Sequence, residues 1–115
     1  MAHIYVITNI INGKQYVGKT SNSIEDRFAE HISDSKKRKL EKRPLYSAIN
    51  KYGSENFKID LIETCDPNDA SDREKYWIQK LNTYGSSGYN ATVGGDGKMF
   101  FNHKQLVEQY IGGKT

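Results

Sequence analysis

The chain has 115 residues, of which 36% are hydrophobic and 27% charged, and its formal net charge is +3. A chain of this length forms one domain with a single core, and its one cysteine excludes an internal disulfide and a cysteine zinc site. The sequence contains no apolar run close to the roughly 20 residues of a membrane span, and no signal-peptide pattern. We therefore expect a cytoplasmic protein without a membrane partner.

The first two predicted elements form a β-hairpin. Apolar runs at residues 3–9 and 14–19 flank Asn12-Gly13, the dipeptide that most readily forms a type I′ turn. Each strand carries one tyrosine, Tyr5 and Tyr16. Because side chains alternate between the two faces of a strand, both phenols can point to the same side of the sheet.

A helix is predicted next, from a polar turn to about Asp34. Ser23 and Asp26 resemble a capping box, and apolar residues follow at four-residue spacing. Arg27 and His31 are also four residues apart, so they stack beside the apolar stripe. They therefore lie at the boundary of the core, where a side chain can reach a cleft.

Positive charge is concentrated in residues 36–43, which hold six of the 17 basic residues and one of the 14 acidic residues. Such a cluster indicates a local contact with a polyanion, and a solvated basic loop is the alternative. The six bases are Lys36, Lys37, Arg38, Lys39, Lys42 and Arg43.

A second helix is predicted from Pro44 to about Gly53, because proline suits a first helical turn and glycine a helix end. Residues 56–63 alternate in polarity and are rich in strand formers, which predicts a third strand.

A third helix is predicted over residues 69–82. Glu74 falls on the apolar face that Trp77 and Ile78 define. An ionised carboxylate is rarely buried without a partner, and such local conflicts are typical of functional sites. Glu74 is therefore a candidate functional residue.

The rest of the chain is rich in turns. Residues 82–98 contain several glycines together with the segment Gly88-Tyr89-Asn90, and residues 103–111 predict a short amphipathic helix. We assign residues 1–95 to the domain and residues 96–115 to a tail, which is either a short helix or the start of a linker.

Each candidate residue except Glu74 has a structural explanation when it is considered alone, for example as a packing tyrosine, a surface arginine or a turn asparagine. Together, a carboxylate, a guanidinium, an imidazole, two phenols and an amide form a set suited to phosphoryl transfer. The predicted catalytic residues are Tyr5, Tyr16, Arg27, His31, Glu74 and Asn90.

These motifs resemble the GIY-YIG nuclease family, and most closely the catalytic domains of phage-type homing endonucleases. The first motif is His3-Ile4-Tyr5 and the second is Tyr16-Val17-Gly18, and the other candidate residues follow in the family's order. Two positions depart from the family pattern: His3 stands where the family has glycine, and Val17 where it has isoleucine.

The resemblance implies an α/β (α+β) fold, a small three-stranded antiparallel sheet that starts with the hairpin and is flanked by three or more helices. It implies a metal-dependent DNA endonuclease that hydrolyses phosphodiester bonds in a bacterial or phage-infected host cell. Mg²⁺ is the expected ion, with Mn²⁺ as a substitute. Double-stranded DNA is the expected partner, with a possible DNA-binding module in a longer parent chain.

Three alternatives stay open. The domain belongs to a restriction or repair nuclease on the same fold, or it is a catalytically silent DNA-binding domain. In the third alternative, the site is intact but cuts only when a partner protein delivers it to DNA. Dependence on an appended specificity module separates a restriction or repair nuclease from a homing endonuclease. A cleavage assay separates an active nuclease from a silent DNA-binding domain.

The resemblance also suggests roles for the residues. Glu74 is the expected metal ligand, and Arg27 is expected to neutralise charge on the scissile phosphate. Tyr5 is the first choice to accept the proton of the attacking water with the help of His31, although Tyr16 and His31 themselves stay open as the base.

The other predicted residues position the substrate. Tyr16 and Lys19 are expected to hold the phosphate or the water, and Asn90 to fix the geometry near Glu74 or the phosphate. The six bases of residues 36–43 are expected to clamp the DNA backbone without reading its sequence.

Overall fold

The computed structural model describes residues 1–93, so the predicted tail and its helix lie outside the described residues. The strands are β1 Ala2–Asn9, β2 Gln15–Thr20 and β3 Phe57–Cys65, and the helices are α1 Ile24–Asp34, α2 Pro44–Tyr52 and α3 Ala70–Leu81. The sheet is antiparallel with strand order β2-β1-β3, which confirms the predicted fold class. Within this part of the chain, no helix combines the length and the apolar character that a membrane crossing needs.

The hairpin is confirmed, but its predicted type I′ turn is wrong. A type I′ turn needs a positive φ at both central residues, and only Gly13 of the Asn12-Gly13 pair has one, at 79°. The loop covers residues 10–14 instead. The side-chain oxygens of Asn9 and Asn12 each accept a hydrogen bond from the backbone N–H two residues on, at 2.9 Å. These two local hydrogen bonds stabilise the longer loop.

The central strand β1 is buried on both faces. Tyr5 and Ile7 pack into a cluster with α2, against which apolar residues of α1 also pack, while Ile4 and Val6 pack with α3 on the opposite face. The sheet therefore separates a layer formed by α1 and α2 from a layer formed by α3.

The third strand is longer than predicted and contains a β-bulge beside Tyr5. Ile4 pairs with Glu63, but Tyr5 pairs with Leu61, so β3 holds one extra residue between these two pairs. A bulge of this kind increases the local twist of the strands. It lies next to the tyrosine of the first motif.

Helix α1 begins at its predicted capping residue, and α3 begins slightly later than predicted. Ser23 Oγ accepts a hydrogen bond from the Asp26 N–H at 3.1 Å, as the capping box predicts. The third helix begins one residue later than predicted, because a 3₁₀ turn at Pro67–Asp69 precedes it. The side chain of Asp66 caps this turn, and Asp69, at the N-cap of α3, makes no side-chain capping bond.

Candidate active site

His31 lies between two phenols. Its Nε2 is 2.7 Å from the hydroxyl oxygen of Tyr5, and its Nδ1 is 2.8 Å from the hydroxyl oxygen of Tyr46. This chain of hydrogen bonds joins β1, α1 and α2, and all three side chains are buried. Both ring nitrogens of His31 are therefore bound to protein hydroxyls.

The imidazole of His31 is neutral at physiological pH. Burial, together with the positive charge of Arg27, lowers the pKa of His31 from 6.5 to about 4. A neutral imidazole has one N–H and one free lone pair, so it donates a hydrogen bond to one tyrosine and accepts one from the other.

The two hairpin tyrosines lie side by side, with 6.4 Å between their ring centroids. Burial raises the pKa of Tyr5 well above its ordinary value, Tyr16 raises it further, and the charge of Arg27 opposes both effects. Burial and the Glu74 carboxylate raise the pKa of Tyr16 to about 12. Both phenols are therefore protonated at neutral pH.

Arg27 is a permanent cation beside these phenols. Its Nη1 donates a hydrogen bond to Glu30 Oε1 at 2.9 Å, and its side chain is 30% exposed. Burial lowers the pKa of Arg27, but the hydrogen bond to Glu30 and the proximity of Tyr5 and Tyr16 outweigh this effect and raise it. The guanidinium is held by α1 and stays partly open to solvent.

Glu74 lies on the inward face of α3, as its spacing predicts, and is 9% exposed. Its Oε1 lies 3.7 Å from Lys19 Nζ, which also donates a hydrogen bond to Ser71 Oγ at 3.2 Å. The lysine of β2 therefore balances part of the charge of the carboxylate.

The side chain of Asn90 is bound to the edge strand β2. Its Nδ2 donates to the Val17 carbonyl at 2.9 Å, and its Oδ1 accepts from the Val17 N–H at 2.8 Å and from the Thr83 hydroxyl at 2.6 Å. Both lone pairs of the amide oxygen are used by these contacts. The contacts hold the loop that carries Asn90 against the strand that carries Tyr16.

Four of the six predicted catalytic residues line one cleft of about 410 Å³, and they are Tyr16, His31, Glu74 and Asn90. Arg43 and Tyr46 line it as well. Tyr5 is not among the lining residues and is connected to the cleft through His31. Arg27 acts on the pKa values of the phenols and the imidazole through its charge.

The GIY-YIG catalytic domain family matches residues 1–90 of this chain. The chain belongs to the GIY-YIG family. The domain is 33% identical over 89 residues to intron-associated endonuclease 1 of Enterobacteria phage T4, a match that covers 76% of this chain and 35% of that protein. It is 28% identical over 86 residues to uncharacterized protein 019R of Invertebrate iridescent virus 6, covering 75% and 30%. The chain thus spans about a third of the length of these relatives.

Two solved structures have the same fold as this GIY-YIG domain. A mutant of the catalytic domain of intron endonuclease I-TevI matches with a TM-score of 0.67 at 30% identity, covering 78% of this chain and 93% of that chain. The catalytic domain of homing endonuclease I-TevI matches with a TM-score of 0.63 at 26% identity, covering 80% and 99%.

His3, which stands where the family has glycine in the first motif, lies away from the cleft of the GIY-YIG domain. His3 Nδ1 lies 3.1 Å from the Thr64 hydroxyl on β3, and His3 is not among the residues that line the cleft. The imidazole of His3 therefore leaves the cleft open.

The basic residues of the GIY-YIG domain at 36–43 occupy exposed turns and have different surroundings. Arg43 lines the cleft, and Lys42 lines a neighbouring groove. Lys37 forms an ion pair with Asp34 at 2.9 Å. The remaining bases are exposed to solvent, and they are Lys36, Arg38 and Lys39. Their contact with a DNA backbone stays a prediction.

Tyr46 is absent from the predicted site residues. It lies beside the apolar stripe of α2 rather than on it, yet it is only 3% exposed. A buried tyrosine needs a hydrogen-bond partner for its hydroxyl, but the spacing of α2 does not mark Tyr46 as buried, so the sequence offers no signal for it. The sequence does not reveal that the partner is His31.

Proposed function

We propose that this chain is the catalytic domain of a metal-dependent DNA endonuclease, which hydrolyses phosphodiester bonds in the cleft. One observation carries the proposal: four residues from β2, α1, α3 and the loop of Asn90 meet in one cleft of a GIY-YIG domain. The T4 relative and both solved domains are named as endonucleases, which supports the same chemistry here.

The donor set in the cleft fits a magnesium ion. Glu74 is the carboxylate among the lining residues, and the described part of the chain contains no cluster of three or more His, Cys, Asp or Glu side chains suited to a metal. Mg²⁺ is commonly held by one or two carboxylates, with water and substrate phosphate as the other ligands. We propose Glu74 as the protein ligand of Mg²⁺, with Mn²⁺ as a substitute. The bound ion would neutralise charge on the phosphate.

Arg27 is the proposed phosphate contact. Its guanidinium stays charged at every physiological pH and is partly exposed beside the phenols. A charge-assisted hydrogen bond to a non-bridging oxygen would stabilise the negative charge that grows there during hydrolysis. Glu30 holds the guanidinium on the protein side until the phosphate arrives.

Tyr5 is the proposed proton acceptor for the attacking water. Burial keeps the Tyr5 phenol protonated, so Tyr5 would take the water proton as it passes its own proton to His31, whose neutral imidazole has its Nε2 2.7 Å from the Tyr5 hydroxyl. Tyr16 and His31 line the cleft and are the alternative acceptors. The Tyr5→Phe and Tyr16→Phe variants test the two phenols, because the true acceptor is needed for the chemical step, and near-normal rates in both would assign the role to His31.

The remaining predicted residues position these groups. Lys19 lies beside Glu74 and is proposed to balance its charge until the metal and the phosphate bind. Asn90 is proposed to keep the cleft in shape through its bonds to β2. Arg43 is proposed to contact a phosphate at the mouth of the cleft.

We further propose double-stranded DNA as the substrate and a homing-type parent protein with a separate DNA-binding module. The chain spans about a third of the T4 relative, which leaves room for such a module. A bacterial or phage-infected cell is the proposed setting, supported by the phage relative.

A plasmid-cleavage assay tests the proposal. The chain is expected to nick supercoiled plasmid with Mg²⁺ or Mn²⁺ and to be inactive in EDTA. Glu74→Gln and Arg27→Ala should each lower the rate at least roughly a hundredfold, while the exposed matched variant Glu25→Gln should cut normally.

Two results would contradict the proposal. Binding of duplex DNA without cleavage under either metal would favour a silent DNA-binding domain. Full activity of the Glu74→Gln variant would remove Glu74 as the metal ligand. A circular dichroism spectrum of each variant checks that it is folded.

A further inference from the structure

A second groove of about 370 Å³ lies beside the cleft. Its walls come from the hairpin loop, from α2 and from the loop that precedes Asn90. Pro44 and Tyr89 line both the groove and the cleft, so the two depressions share a wall. A strand that occupied the cleft could therefore continue into the groove.

The groove carries three lysines and no carboxylate: Lys14, Lys42 and Lys51 line it, and none of its lining residues is Asp or Glu. Within residues 1–93, none of the three lysines forms an ion pair. By contrast, Lys37 and Lys58 are each paired with an aspartate. Three unpaired cations around one depression attract a polyanion. We call this depression the lysine groove.

The floor of the lysine groove offers a hydroxyl donor. The hydroxyl oxygen of Tyr89 accepts hydrogen bonds from Asn9 Nδ2 at 3.0 Å and from Asn12 Nδ2 at 3.3 Å. Because both lone pairs of this oxygen take amide protons, the phenolic hydrogen is left to donate. In the described part of the chain it meets no acceptor. A phosphate oxygen is an acceptor of the right kind.

The asparagines also hold the groove in shape. Asn12 is fixed on its other side, where its Oδ1 accepts from the Lys14 N–H at 2.9 Å. Hydrogen bonds of Asn12 thereby connect the hairpin loop to Tyr89, and they hold the backbone of Lys14 in place. Lys51 lies on α2, with its Nζ 5.4 Å from the ring centroid of Tyr52.

We infer that the lysine groove binds backbone phosphates of the DNA strand that passes through the cleft. This inference rests on the proposed endonuclease function and adds Lys14, Lys51 and the Tyr89 hydroxyl to the predicted DNA contacts. Phosphate contacts position a duplex without reading its bases. The groove therefore sets where the strand lies relative to Glu74 and does not select a sequence.

The test is a salt titration of DNA binding by the full chain in EDTA, where cleavage does not interfere. The double variant Lys14→Gln/Lys51→Gln should bind a labelled duplex roughly ten- to a hundredfold more weakly than the wild type. Between about 50 and 200 mM salt, its slope of log affinity against log salt should be smaller by about 2, because two phosphate contacts are lost.

The matched control is Lys58→Gln/Lys80→Gln, which removes the same charge from exposed positions that do not line the lysine groove. Its salt slope should equal that of the wild type. If both double variants weaken binding equally, or if the groove variant binds like the wild type, the lysine groove is not a phosphate site.

The two proposals fail separately. A wild type that cuts plasmid while the groove variant keeps its affinity overturns the inference alone. The endonuclease function alone is overturned if the wild type binds duplex DNA but never cuts it, while the groove variant shows the salt slope that is smaller by about 2.

Discussion

The phenol of Tyr5 lies directly against Gly18, its partner across the hairpin. A Cβ atom added to Gly18 would be 2.3 Å from the Tyr5 hydroxyl oxygen and 2.4 Å from Cζ. Gly18 is not one of the positive-φ glycines, so space rather than backbone conformation requires glycine here. The glycine of the second motif thus makes room for the tyrosine of the first.

Gly18→Ala should displace the Tyr5 ring and lower the free energy of unfolding by about 1–3 kcal/mol, the usual cost of overpacking. Urea denaturation measures this change. In a Tyr5→Leu background, where the phenol is absent, the same alanine should cost less than about 0.5 kcal/mol. Equal costs in the two backgrounds would show that the phenol is not the obstacle.

Tyr46→Phe should change the tautomer of His31. The variant removes the hydroxyl within 2.8 Å of Nδ1 and leaves that buried nitrogen without its partner. Nitrogen-15 NMR of the imidazole should therefore show a changed proton distribution between Nδ1 and Nε2. Cleavage should fall roughly ten- to a hundredfold, as it does when a residue that orients a functional side chain is lost.

The matched control for this tautomer experiment is Tyr52→Phe, on the same helix. It should leave both the imidazole spectrum and the cleavage rate at wild-type values. An unchanged His31 spectrum in Tyr46→Phe would show that the Tyr46 hydroxyl does not select the tautomer.

Burial of neutral His31 should make folding less stable in acid. Its pKa is about 4 in the folded state, against 6.5 as the ordinary value. As the pH falls below 6.5, His31 becomes protonated in the unfolded chain but stays neutral in the folded protein. The free energy of unfolding, which is fully present above pH 6.5, therefore decreases. The loss should reach about 3 kcal/mol near pH 4. Urea denaturation from pH 7 to pH 4 measures it.

The comparison for this experiment is His31→Gln, which cannot titrate at this position. Acidic groups titrate in both proteins, so the difference between the two pH curves isolates His31. The curves should converge as the pH falls. Parallel curves would mean that His31 is protonated as readily in the folded protein as in the unfolded chain.

Asn90→Ala should destabilise the fold by about 2–4 kcal/mol, because it leaves the Val17 N–H and carbonyl without partners. Thr83→Val removes one hydrogen bond to the same amide and should cost about 1 kcal/mol. Thermal and urea unfolding of both variants provide the measurement. If the alanine variant is as stable as the wild type, Asn90 acts on the substrate rather than on the strand.

Most of the fold is encoded in short stretches of sequence. Each element is specified by residues close to it in the sequence. These residues are the capping serine before α1, the proline and glycine around α2, and the alternating residues of β3. The inward position of Glu74 could be predicted as well, because it depends only on the period of one helix. The hairpin turn was wrong because two asparagine side chains provide backbone partners that a dipeptide rule ignores.

The contacts that complete the site are not encoded locally. Tyr46 and His31 are 15 residues apart and belong to two helices whose relative placement follows from packing. The number of phenols that reach the imidazole therefore depends on how α1 and α2 meet over the sheet. The lysine groove has the same origin, because its lysines come from three segments.

The bond between Asn90 and Val17 spans 73 residues of sequence, and this separation bears on the order of events during translation. The hairpin and the first helix leave the ribosome long before residue 90 does. Until then, β2 lacks the side-chain amide of Asn90, which holds the loop of Asn90 against it and so completes the cleft. A nascent chain thus carries an unfinished cleft, and we expect hydrolysis to begin only after nearly the whole domain has been synthesised.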